Sequence, residues 1–309
     1  MNKAISLTVF LMFTTLFVFG QLNNKKDSIT VEKIWKEYEL YGSKVSGFRS
    51  MNDGEHFTRF TQINGRKSIM KYAFTAMDEM GELLLDGTLL DYKDEALQVD
   101  GYEFNDDESK ILLTTNRQKR YRRSFFAEYF LFDRETEELS PLAPELSPQT
   151  LASYSPDGKK VAFIHQNNLY VKTISSGKIK AITEDGEMNN IINGTTDWVY
   201  EEEFAYTKAY EWSPNSEHIA FLKFNESDVK EFTMMYYNAL YPSPYTFKYP
   251  KAGEDNSKVC LYVARVKNGK KRKVDIGDYE YIPRIKYSNV KNKLMALALN
   301  RHQNHLKYH

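Results

Sequence analysis

The sequence predicts an all-β chain built as a β-propeller of four-stranded blades, with a short helix near its N-terminus. The clearest of three supporting observations is a segment, Tyr154-Ser155-Pro156-Asp157-Gly158-Lys159-Lys160-Val161-Ala162-Phe163-Ile164. It recurs as Trp212-Ser213-Pro214-Asn215-Ser216-Glu217-His218-Ile219-Ala220-Phe221-Leu222. Looser copies begin at Asn52, Asn105 and Ser288, so starts at 52, 105, 155, 213 and 288 lie 53, 50, 58 and 75 residues apart. Between the copies fall further short strands, including Glu128 to Phe132, Leu169 to Ile174 and Ile179 to Thr183. A period near 50 with several strands per unit is the signature of a propeller. A β-sandwich predicts closer turn spacing and no repeated aromatic-Ser-Pro element.

The elements follow in order. Residues 1–20 carry Lys3 and then no charge from Ala4 to Phe19, with Val18 and Gly20 as small residues ahead of Gln21. This reads as a secretory signal peptide, with an uncleaved anchor as the alternative. No cysteine lies near the site, which excludes a lipoprotein anchor. The expected location is outside the cytoplasm, in a bacterial periplasm or secreted, with no membrane attachment after cleavage. Residues 21–45 form a linker and a short helix, in which Val31, Ile34, Trp35 and Tyr38 follow helical spacing behind Thr30 as cap. Residues 46–309 form the repeat domain. In each clear copy a turn leads into a strand apolar at every position, so both of its faces are expected to be buried. The two intervals longer than 50 locate insertions, Glu187 to Glu211 and about 25 further residues rich in Tyr and Pro. Such loops are where a propeller carries function.

Composition narrows the chemistry. Forty-two basic and 42 acidic residues give zero formal net charge, which argues against nucleic acid or an anionic lipid surface as partner. A single cysteine, Cys260, excludes an internal disulfide framework and a Cys-rich metal site. There is no G-x-S-x-G, no phosphate-binding glycine loop and no H-E-x-x-H. His302 and His305 are the only histidines close enough in sequence to act jointly, and no clustered carboxylate or thiol completes a ligand set. No catalytic residue, metal or cofactor is expected. Met234-Met235 and the tyrosines around them read as core or interface.

Two charged clusters stand out. In Asp197-Trp198-Val199-Tyr200-Glu201-Glu202-Glu203-Phe204, three successive carboxylates are flanked by large apolar residues. A strand would send neighbours to opposite faces, so joint use of two of them needs a helical turn. Paired carboxylates repel and a bound cation relieves that repulsion; a primary ammonium, with three donors, suits the pair. A charged helix start on the surface is the competing reading. The second cluster, Lys119-Arg120-Tyr121-Arg122-Arg123, reads on its own as a solvated hairpin edge protected by charge.

Asp197-Trp198-Val199-Tyr200-Glu201-Glu202-Glu203, with Trp212-Ser213-Pro214-Asn215 and Phe224-Asn225-Glu226, closely resembles the dipeptidyl peptidase IV branch of the prolyl oligopeptidase family. Tyr249-Pro250-Lys251-Ala252-Gly253 with Asn256, and Asn300-Arg301-His302-Gln303-Asn304, add two further blocks in the right order. The resemblance runs from about Ile29 to the last residue. It implies an eight-bladed propeller followed by an α/β-hydrolase domain with a Ser-Asp-His triad, and an exopeptidase that releases X-Pro dipeptides. It also implies that Glu202 and Glu203 grip the α-ammonium of a peptide substrate with a free N-terminus, and that Arg122 contacts a substrate carbonyl. Glu201 is not at the matching position for amine binding. The insertion from Val229 to Tyr249 resembles the arm through which family dimers associate, which makes a homodimer the expected assembly.

The chain departs from that pattern at His309, after five copies of the blade-start element and with no nucleophile elbow. The expectation is therefore an incomplete propeller that lacks the hydrolase domain and does not hydrolyse peptides alone. A non-catalytic peptide-binding or interaction propeller using the same acidic anchor is the alternative.

Overall fold

The computed structural model describes residues 28–42, 47–75, 81–290 and 292–309; residues 1–20, expected from the sequence to be an export signal, lie outside the described residues. The chain divides into two units, Met1–Phe48 and Arg49–His309. In the first, the helix Val31–Trp35 is capped by Thr30, whose hydroxyl accepts the Lys33 N–H at 3.2 Å. The apolar spacing continues to Tyr38, but the helix stops at Trp35 and Tyr38 adopts φ 52°. None of its five residues is buried, and a helix this short gains little from its own hydrogen bonds.

The second unit is a succession of antiparallel sheets whose strands neighbour one another in chain order, the up-and-down meander of propeller blades. The first sheet contains Phe48–Ser50, His56–Ile63, Arg66–Ala73 and Glu82–Leu85. The second contains Val99–Phe104, Lys110–Lys119, Phe125–Asp133 and Leu139–Pro141, and the third Thr150–Tyr154, Lys160–His165, Asn168–Thr173 and Ile179–Ala181. The fourth holds Tyr210–Trp212, His218–Asn225, Lys258–Arg265 and Lys271–Lys273, with Ile191–Asn193 also paired to His218–Asn225. Tyr281–Tyr287, Leu294–Leu299 and Leu306–Tyr308 form the fifth. In the second strands of the third and fourth sheets, Val161 to Ile164 and Ile219 to Leu222 are buried at every position. Neighbouring sheets enclose the third from both sides: Val161 and Phe163 cluster with Leu131 of the second sheet, and Ala162 and Ile164 with Phe221 of the fourth.

The repeated turn is the same object each time. A backbone N–H donates across it to the residue five positions on: Met51 to His56, Asn105 to Lys110, Ser155 to Lys160, Ser213 to His218 and Ser288 to Lys293, at 2.8–3.1 Å. In the first four the side chain at the third position caps the turn, and in the fifth, where that residue is Val290, the Ser288 hydroxyl accepts the Val290 N–H instead. Oδ1 of Asp53, Asp107, Asp157 and Asn215 each accepts the backbone N–H two residues later. Ser155 and Ser213 add a hydroxyl that accepts the N–H of Lys160 and His218, and Asn105 does the same for Lys110 through its amide oxygen. This is why Asn can replace Ser in the looser copies.

In the first four turns the fourth position is left-handed: Gly54, Glu108, Gly158 and Ser216 have φ of 72°, 59°, 65° and 58°. Glycine is the easiest residue there. Glu108 and Ser216 tolerate the strain because each reaches the preceding turn: Glu108 Oε1 accepts the Asn52 N–H at 2.7 Å, and Ser216 Oγ accepts the Asp157 N–H at 3.0 Å. The turns therefore stitch neighbouring sheets together along one edge. A side chain at Gly158 would meet Nδ2 of Asn105 at 2.9 Å.

Both insertions belong to the fourth sheet. Its inner strand is broken after Asn193 and resumes at Tyr210, with both pieces registered on His218–Asn225. Gly194 N–H donates to Leu222 O, Leu222 N–H to Ala209 O, and Ala209 N–H to Gly194 O, which closes the gap and leaves the intervening residues as an excursion. The second insertion joins the two central strands and forms a two-stranded hairpin, Glu231–Tyr236 with Ser243–Lys248. Met234 and Met235 lie on that hairpin and are exposed, not part of a core.

Gly158→Val is expected to destabilise the chain by about 1–2 kcal/mol through the left-handed backbone alone. Thermal unfolding should show a loss of at least about 2–4 °C. An unchanged midpoint would contradict this account of the turn.

Candidate functional site

The excursion from the fourth sheet carries the acidic cluster on a six-residue helix, Trp198–Glu203. Asp197 is its N-cap, with Oδ1 accepting the Tyr200 N–H at 2.9 Å, and its second oxygen accepts the Ser257 hydroxyl. Asp197 is buried, and desolvation raises its pKa above the ordinary carboxyl value against the opposing pull of those two bonds. Tyr200 is the wedge beneath the helix. Its ring packs edge-on against Phe204 at 5.1 Å and Phe224 at 4.8 Å, and its hydroxyl accepts the Ile282 N–H at 2.8 Å. Trp198 packs 4.5 Å from Tyr249 at the base of the hairpin. Two of the sequence blocks, around Asp197 and around Tyr249 to Asn256, thus meet at the foot of one short helix.

Successive helical residues are about 100° apart, and the three glutamates fall into three environments. Glu201 points inward and is buried. Glu202 is half-buried, and its carboxylate accepts Nε–H of Arg122 at 2.7 Å. Glu203 is exposed, and no hydrogen bond or ion pair to its carboxylate exists among the described residues. Arg122 lies in the loop between Lys110–Lys119 and Phe125–Asp133 of the second sheet. The cluster lies at a hairpin end, as its charge pattern predicts. The loop also turns toward the helix, where Glu201 Oε1 accepts the backbone N–H groups of Arg123 and Ser124. Of the three candidate residues, Arg122 and Glu202 are thereby brought into contact, and Glu203 follows Glu202 at the end of the same helix. Two carboxylates against one guanidinium leave a single negative charge, suited to a monovalent cation that donates several hydrogen bonds.

Residues 105–309 match the model of the dipeptidyl peptidase IV (DPP IV) N-terminal region. The chain belongs to this family. It is 35% identical over 198 residues to dipeptidyl aminopeptidase B of Saccharomyces cerevisiae, covering 62% of this chain and 24% of that protein. Its structure matches Porphyromonas gingivalis dipeptidyl peptidase 4 with a TM-score of 0.82 at 34% identity, over 91% of this chain and 40% of the other. A Bacteroides ovatus protein at 19% identity and TM-score 0.59, over 85% of this chain and 35% of that one, shares the fold. The chain thus spans about a quarter of the yeast relative and two-fifths of the P. gingivalis structure.

Other blocks of this DPP IV-family chain are structural. Asn300 Oδ1 accepts the N–H groups of Asn304 and His305, and Arg301 reaches Glu280 at 3.1 Å and the Glu254 carbonyl at 2.6 Å. That loop exposes His302 and His305. Among the described residues no three His, Cys, Asp or Glu side chains are grouped to hold a metal ion.

Glu226, at the end of the Phe224-Asn225-Glu226 block, has an electrostatic role that its sequence did not signal. It is buried, and desolvation followed by the charge of Asp197 raises its pKa to about 8, against the lowering influence of Arg120 and Lys248. A carboxyl raised in the folded state favours folding while it holds its proton. Its destabilising effect is absent below the ordinary value of 4.5 and complete above about 8. Stability should therefore fall as pH rises through that window. Glu226→Gln, which cannot ionise, should gain on the parent by several degrees between pH 5 and pH 8 in thermal unfolding. A parallel pH dependence in both proteins would contradict the assignment.

Proposed function

We propose that this chain is the substrate-recognition part of an exported dipeptidyl peptidase, and that Glu202 and Glu203 bind the α-ammonium of a peptide's free N-terminus. The observation that supports it is the uncompensated negative charge around Glu202, Glu203 and Arg122, on a helix held rigidly by Asp197 and Tyr200. An ammonium has three donors for the two carboxylates. Arg122 extends along the same spot and would donate to the carbonyl of the first or second substrate residue. An amine held at a fixed place measures the peptide from its end, so cleavage falls after a set number of residues. In the family this is after X-Pro. A blocked N-terminus brings no charge and a single donor where a free amine brings a charge and three donors, a discrimination built on hydrogen bonds the wrong ligand cannot make.

Hydrolysis needs groups that these 309 residues do not hold, since no G-x-S-x-G stands among them. The chain by itself is expected to release no chromophore from a Gly-Pro anilide; turnover by the purified 309-residue protein would overturn this.

Residues 1–20 are proposed as the export signal, which would put the site where extracellular or periplasmic peptides reach it. The hairpin is proposed as a homodimer contact, because Tyr237, Leu240 and Tyr241 at its tip are largely exposed, Leu240 at 91%. Leu240→Glu with Tyr241→Glu should halve the mass measured by light scattering. A monomeric parent protein would remove the proposal.

The amine anchor is tested by titrating the 309-residue chain with a Gly-Pro peptide bearing a free N-terminus and with its N-acetylated form. Acetylation, Glu202→Gln and Glu203→Gln are each expected to weaken binding by about 10- to 100-fold, the range for one lost charge-assisted hydrogen bond. Equal affinity for both peptides would exclude the anchor.

A further inference from the structure

Arg122 is poorly held by its own side chain. It is 71% exposed, and among the described residues its only hydrogen bond or ion pair is with Glu202. A long exposed side chain on a loop explores many rotamers. Its usefulness at the site therefore depends on where the backbone beneath it sits. That backbone is fixed from two sides. Glu201 is 2% exposed, and one carboxylate oxygen accepts the Arg123 N–H at 2.7 Å and the Ser124 N–H at 2.8 Å. The Glu201 carbonyl oxygen also accepts Nε–H of Arg123 at 3.3 Å. On the other side, the Tyr121 hydroxyl lies 3.2 Å from that of Tyr245, and the Tyr121 ring 6.0 Å from that of Phe247.

We propose that Glu201 is a positioning residue for the amine site: its buried carboxylate ties the Arg122 loop to the helix that bears Glu202 and Glu203. The proposal rests on the reading of those two residues as the peptide-amine anchor. The chemistry explains why a glutamate stands there. Two N–H groups converge on one buried oxygen, and a residue without an acceptor would leave both unsatisfied. The reach matters as well, because the oxygen spans from the second sheet's loop to a helix that leaves the fourth sheet. One methylene less would break the contact. Glu201 touches no substrate in this scheme and acts only through the backbone of its neighbour's loop.

Two readouts on the 309-residue chain separate this role from a general contribution to folding. Glu201→Asp keeps the charge and shortens the reach. It should raise hydrogen exchange at the Arg123 and Ser124 amides at least about tenfold and weaken binding of a free Gly-Pro peptide about tenfold. Glu201→Gln keeps an acceptor at full length and should retain both properties within about threefold. In an Arg122→Ala background, Glu201→Asp should weaken binding no further, because positioning has no object once the guanidinium is gone. Unchanged amide exchange in Glu201→Asp, or losses that add in the double variant, would overturn the proposal. Accelerated exchange in Glu201→Asp beside unchanged affinity in Glu202→Gln and Glu203→Gln would leave the loop anchored by Glu201 and overturn the amine reading instead.

Discussion

The cap of a six-residue helix holds the candidate site together. Helices this short are unstable alone, because nucleation outweighs the few hydrogen bonds they form. Here the nucleus is held by a local cap and two tertiary contacts: Asp197 accepts the Tyr200 N–H within the helix and the Ser257 hydroxyl from outside it, and Tyr200 accepts the Ile282 N–H. These bonds join the excursion to the residues that follow the hairpin and to the fifth sheet. Burying a carboxylate is costly, as the raised pKa of Asp197 reflects. It is tolerated because each oxygen has a donor. Without that cap the broken inner strand of the fourth sheet would have no reason to present three glutamates in sequence.

The helix then separates chemically identical neighbours. Glu201 goes to the interior and binds backbone amides, Glu202 sits half-buried at 15% exposure against a guanidinium, and Glu203 is exposed with no side-chain partner among the described residues. A strand would have put Glu201 and Glu203 together and Glu202 opposite. The helical step instead turns Glu201 inward to backbone amides, sets Glu202 against Arg122 and leaves Glu203 exposed. Composition at this point is uniform; geometry produces the division of roles.

How much of this is legible in the sequence follows from how local each interaction is. The blade-start turns are legible because the bonds that define them lie within five residues, as in Ser155 to Lys160. The need for a helical turn at Glu202 and Glu203 is legible for the same reason, as is the Thr30 cap. Glu201 is different. Its partners, Arg123 and Ser124, lie 77 to 78 residues away, and nothing in Tyr121-Arg122-Arg123-Ser124 advertises that two of its amides will need a buried acceptor. Glu226 is hidden likewise, since its raised pKa comes from burial and from Asp197 across the fold. The left-handed Glu108 and Ser216 look like departures from glycine in the repeat, and their reason lies in the neighbouring turns at Asn52 and Asp157.

The propeller supplies fixed edges, and the fourth sheet departs from regularity twice to build on them, once with the capped helix and once with the hairpin. Both departures converge on the Arg122 loop, through Glu201 and through Tyr121 with Tyr245. The central claim is that this convergence makes a receptor for a peptide's terminal amine. A crystal structure of the chain with a Gly-Pro peptide tests it most directly. The account predicts the α-nitrogen within ordinary hydrogen-bond distance, about 2.7–3.2 Å, of both the Glu202 and Glu203 carboxylates. A peptide bound with its amine elsewhere, or with neither carboxylate in reach, would contradict it.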